Sequence, residues 1–226
     1  AKVAIIARQQ KGVHMAVSDL AQQFGLEQIL GLVGDCADAN SLSERVSELE
    51  KAWGGLDGVV ANVGDGKSVL DPVPDAEQWS QVWQTNFETA LTTTRTCLPM
   101  LQARQGSLLF ISSITGLSAL GAPVDYSVAK TAVIALAQNL ARKLAPKVRV
   151  NVLAPGNIFF PEGSWDEKVR AQPEAVESML RSQVPLQRFG TPEEIADAAV
   201  FLCSSRTSFI TGSVLRVDGG QVNSLL

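Results

Sequence analysis

Apolar positions in this chain come in short blocks separated by longer stretches of mixed character. Aliphatic and β-branched runs recur at residues 2–7 (KVAIIA), 29–33 (ILGLV), 56–62 (LDGVVAN), 107–112 (SLLFIS), 148–153 (VRVNVL) and 213–217 (SVLRV). Runs of this length without strict alternation suit strands covered on both faces, as in a parallel sheet between helices. The intervening stretches at 12–24, 41–53, 75–101, from 123 onward and 191–203 read as helices. Gly25 closes the first, Ser41 or Asn40 caps the second, and Asp75 opens the third, which Pro99 interrupts near its end. At 191–194 the order Thr-Pro-Glu-Glu supplies an N-cap, a proline at the first helical position and a glutamate reaching back to the cap. Strand and helix alternate throughout, which predicts an α/β fold with a parallel, doubly wound sheet over 1–226 as one domain. Residues 157–187 fit neither pattern and are expected as an irregular substrate lid.

Composition narrows the functional classes. With 226 residues and 46% hydrophobic positions, the chain can bury a sizeable core. Its net charge of −4 leaves no basic stripe for phosphate backbones, so nucleic acid is not an expected partner. Cys36, Cys97 and Cys203 are scattered and odd in number, which points to buried thiols rather than a disulfide framework or a zinc site. A lone histidine, His14, cannot build a metal cluster, and no metal is expected. No apolar run is long enough to cross a bilayer and no signal peptide is recognisable, so a cytoplasmic protein is expected.

The candidate chemistry sits at 112–130, SSITGLSALGAPVDYSVAK, which holds the only tyrosine, Tyr126. Lys130 follows four residues later, on the same face if the segment is helical. A neighbouring ammonium favours the phenolate, and a protonated phenol can donate to a developing alkoxide. Ser113 lies thirteen residues before Tyr126, at the C-terminal end of an apolar strand, where open α/β sheets place their ligands. Taken alone, a tyrosine and a lysine at this spacing are equally a solvated helix face.

Serine, tyrosine and lysine in this arrangement resemble the catalytic segment of the short-chain dehydrogenases/reductases, Rossmann-like enzymes that interconvert carbonyls and alcohols with a nicotinamide cofactor. The resemblance implies Asn86, Ser113, Tyr126 and Lys130 as the catalytic set, with Asn86 anchoring a water relay to Lys130. It implies cofactor contacts from Arg8, Asp35, Cys36, Asn62, Gly64, Tyr126, Lys130, Pro155, Gly156 and Ile158. Ala7 and Arg8, in place of an acidic residue at the strand end, favour NADP(H) over NAD(H). Two departures stand out: Ala61-Asn62-Val63-Gly64 lacks the first asparagine of the family's N-N-A-G element, and Phe160 occupies a position where many members carry threonine. The small-molecule partner implied is a carbonyl/alcohol substrate, either a 3-oxoacyl thioester or a sugar-type compound, and the assembly implied is a homotetramer or homodimer. The Gly-rich phosphate loop that follows the family's first strand has no counterpart in these residues, so a natural enzyme with one more strand–helix unit is expected. The alternative is a cofactor-less binding or assembly module with an oxidoreductase shell.

Overall fold

The computed structural model describes residues 1–69 and 71–223. The elements are β1 (Val3–Ala7), α1 (Gln10–Phe24), β2 (Ile29–Val33), α2 (Ala39–Trp53), β3 (Gly58–Ala61) and α3 (Ala76–Trp83). A π-helical turn, Gln84–Glu88, joins α3 to α4 (Thr89–Arg104). Then come β4 (Ser107–Ile111), α5 (Val124–Leu144), β5 (Arg149–Pro155), α6 (Ser164–Ala171), α7 (Pro173–Gln183), α8 (Pro192–Cys203) and β6 (Val214–Val217). All strand pairs are parallel, in the orders β1-β2 and β3-β4-β5-β6. The described strands thus form two hydrogen-bonded sheets, one of two strands and one of four.

β4 and β5 explain the unbroken apolar runs. Leu108, Phe110, Val150 and Val152 belong to one core cluster, with residues of α2, α4 and α5. Leu109 and Leu153, the alternate positions, pack with Leu202 of α8 in another. Alternate residues of a strand point to opposite faces, so helices on both faces leave no polar side to the strand. β1 joins the first cluster through Ile6, and the turn after β2 joins it through Cys36.

Three expectations about elements are corrected. The cap of α2 is Asp38, whose carboxylate accepts from the amides of Asn40 and Ser41. Pro99 lies inside α4 without ending it, because Cys97, Met100 and Leu101 on either side are buried and hold the helix against the cost of one missing N–H. Residues 157–187 are mostly helical. They form α6 and α7, amphipathic helices whose inward faces carry one buried residue each, Asp166 and Val176. Their many charged positions obscure the helical period in the sequence. The Thr191 capping box is present as expected.

Candidate active site

Parallel strands bring their C-terminal ends to one edge of a sheet. Arg8 follows β1, Asp35 and Cys36 follow β2, Asn62 and Gly64 follow β3, Ser113 follows β4, and Gly156 and Ile158 follow β5. Tyr126 stands in the first turn of α5 and Lys130 one turn later. The shared helix face places Lys130 Nζ 5.6 Å from the centroid of the Tyr126 ring.

Lys130 is only 5% exposed, and its ammonium donates to the Ile111 carbonyl at 3.2 Å. Ser112 ties the helix to the strand end by donating to the Lys130 carbonyl at 2.8 Å. Beside it, Ser113 Oγ accepts from the Thr115 amide at 3.2 Å and from the Thr115 hydroxyl at 3.1 Å, which fixes its orientation. Asn86 is buried in the π-turn, donating to the Val82 carbonyl at 3.1 Å and accepting from the Asp65 amide at 3.2 Å. A π-turn widens the helix and redirects one side chain, a device frequent at functional sites. Gly64 closes the group: a Cβ there would lie 2.7 Å from Asn86 Oδ1 and 2.9 Å from Lys130 Nζ. Only glycine fits.

The electrostatics differ from the simplest reading of the sequence. Burial pushes the Tyr126 phenol above its ordinary value, the Asp65 carboxylate adds to the rise, and a hydrogen bond with Ser113 opposes it. Burial lowers the Lys130 ammonium to about 8, with the Asp65 carboxylate acting the other way. Sequence spacing predicts a phenol depressed by Lys130. Here desolvation sets the direction, and the ammonium lies over the ring face while donating to a carbonyl. The phenol is thus held protonated at neutral pH and suited to donating its proton.

The remaining residues divide by accessibility. Arg8, Asn62 and Gly64 are exposed along the strand ends, open to a ligand. Asp35 is partly buried, and its carboxylate accepts from the Ala37 amide at 2.8 Å. Cys36 is buried in the core, its thiol raised chiefly by desolvation, so only its backbone faces the edge. Gly156 has a structural duty as well: a Cβ there would meet the Asp218 backbone at 2.7 Å. Ile158 pairs with Gly190 in an isolated parallel bridge, which pins the base of the 157–187 segment. Phe160 is exposed beyond it. Sequence reading missed Asp65, whose carboxylate acts on both Tyr126 and Lys130, and Gly66, where a Cβ would lie 4.0 Å from Tyr126 Cζ. A charged residue directly after the Asn62-Val63-Gly64 turn was the available signal. Among the described residues, no group of His, Cys, Asp or Glu is placed to hold a metal ion, and no helix is long and apolar enough to cross a membrane.

The family model described as Enoyl-(Acyl carrier protein) reductase matches residues 1–221. The 3-oxoacyl-(acyl-carrier-protein) reductase FabG of Chlamydia muridarum is 34% identical over 223 residues, spanning 98% of this chain and 87% of the relative. A short chain oxidoreductase from Pseudomonas aeruginosa PAO1, solved with NADPH and containing an atypical catalytic center, superposes with a TM-score of 0.92 at 28% identity, covering 99% of this chain and 88% of that one. L-sorbose reductase from Gluconobacter frateurii, solved with NADPH and L-sorbose, gives a TM-score of 0.91 at 29% identity, covering 100% of this chain and 88% of that one.

Proposed function

The chain belongs to the short-chain dehydrogenase/reductase family of oxidoreductases, and from that premise we propose that it interconverts a carbonyl and a secondary alcohol with NADP(H), using Tyr126 as proton carrier. The observation that carries this reading is the partly buried Tyr126 beside Lys130 and Ser113 at the C-terminal edge of the sheet. When bound, the nicotinamide supplies or accepts the hydride at the reacting carbon. Ser113 holds the substrate oxygen by a hydrogen bond, and Tyr126 gives that oxygen its proton in reduction or takes it back in oxidation. Lys130, with an ammonium near neutrality in its proton affinity, stabilises the phenolate left behind, and Asn86 anchors the relay that returns the proton from solvent.

Arg8 is the cation for a 2′-phosphate where Ala7 stands in place of an acid, which favours NADP(H) over NAD(H). Asp35 and the Cys36 backbone line the adenine side, Asn62 and Gly64 the middle, and Pro155, Gly156 and Ile158 the nicotinamide side. α6 and α7 form the substrate lid of residues 157–187. Its base is braced by Phe159 and Trp165, whose rings lie 5.7 and 5.3 Å from that of Phe189. The substrate is a small 3-oxoacyl thioester or sugar-type carbonyl, and the working form is a cytoplasmic homotetramer of single-domain subunits. The test is loss of nicotinamide absorbance when the protein meets NADPH with a short 3-oxoacyl thioester or a ketose. Turnover of either supports the reading. Absence of both NADPH binding and turnover would leave the cofactor-less binding or assembly module instead.

A further inference from the structure

Asp125, the residue before Tyr126, is 2% exposed although it is an acid in the first turn of α5. Burying a carboxylate is costly unless hydrogen bonds replace its water. One oxygen accepts from the Tyr126 amide at 2.7 Å, and the other accepts from the Ser68 hydroxyl at 2.6 Å. Ser68 in turn accepts from Gln78 Nε2 of α3 at 3.4 Å. These contacts join three separate elements: the connection after β3, the start of α3, and the turn of α5 that carries the phenol. The same connection carries Gly64 against Lys130 and Asn86, and Gly66 against the Tyr126 ring.

We propose that Asp125 and Ser68 form a latch that holds residues 64–68 as a wall over the Tyr126 hydroxyl, making both of them positioning residues for the proton transfer. A carboxylate at the helix start also offsets the positive end of the α5 dipole, so the acid suits its place on two counts. Ser68→Ala opens the latch without changing any charge. The inference rests on the proposed role of Tyr126, so its test has an arm independent of turnover. Amide hydrogen exchange of the whole protein should show residues 64–68 and the Tyr126 amide exchanging at least about tenfold faster in Ser68→Ala than in wild type. In the same variant kcat/KM for the carbonyl should fall roughly ten- to a hundredfold, mostly in kcat, with the KM for NADPH unchanged. Ser68→Thr, which keeps the hydroxyl, should restore both. Unchanged exchange in Ser68→Ala and in Asp125→Asn would overturn the latch. Faster exchange with kcat/KM within twofold of wild type would overturn the positioning role. A wild-type protein that turns over no carbonyl would instead remove the reading of Tyr126, and the exchange comparison would still decide the latch.

Discussion

Lys130 shows how burial governs the single residues of this site. Its ammonium sits at about 8 against an ordinary 10.5, because the folded protein removes it from water. Between those values the unfolded chain keeps a proton that the folded protein has shed, so the contribution of this group to stability should rise with pH through this window. Below pH 8 both states are charged and the folded state carries a desolvation cost on the order of 3 kcal/mol. Tyr126 and the thiols of Cys36, Cys97 and Cys203, all raised chiefly by burial, act with the opposite sign above their own ordinary values, so the Lys130 contribution is isolated as a difference between variants. Denaturant unfolding across this pH range should therefore show the wild type gaining stability relative to Lys130→Met as pH rises, with activity lost in the variant. A stability difference between the two proteins that stays constant from pH 8 to 10 would contradict the buried ammonium. Arg8 is the opposite case, an exposed cation at a strand end. Arg8→Ala should weaken NADPH binding by about 1–3 kcal/mol, the worth of a charge-assisted contact, with little effect on NADH, as read by calorimetric titration. Equal loss for both cofactors would remove it from the 2′-phosphate.

At the scale of elements, the sequence was most readable where one local rule decides the outcome. The Thr191 capping box and the Asp75 cap were visible because spacing alone specifies them. The α2 cap was misplaced by two or three residues, since Asp38, Asn40 and Ser41 all have capping side chains and only the fold chooses among them. Asp38→Ala should cost about 0.5–2 kcal/mol in a denaturant titration, while Asn40→Ala should cost little. A larger loss for Asn40→Ala would reverse that assignment. The π-turn at Gln84–Glu88 left no mark in the sequence, because its extra residue is a matter of helix registry set by the burial of Asn86 against the Gly64 turn. The α6 and α7 helices were hidden for a related reason: each buries so little that its apolar stripe is short.

For the whole molecule, the alternation of strands and helices makes the parallel sheet legible, and a parallel sheet fixes which strand ends meet where the proposed site is built. Ser113, Tyr126, Lys130 and Asn86 could be named from spacing and resemblance, and the structure brings them to one edge with Gly64 among them. Only three-dimensional packing could supply the balance of their charges. Burial of Tyr126 and Lys130, and the Asp65 carboxylate beside them, reverse the simple expectation of a depressed phenol. The central claim is that this phenol carries the proton. Tyr126→Phe keeps the ring and its packing against Lys130 while removing only the hydroxyl. The decisive measurement is steady-state carbonyl reduction by Tyr126→Phe beside the wild type, with NADPH affinity and thermal unfolding measured on the same preparations. The account predicts a fall of roughly 10²–10⁴-fold in both kcat and kcat/KM, with cofactor affinity and unfolding temperature close to wild type. A Tyr126→Phe protein that folds, binds NADPH and retains wild-type kcat would contradict it.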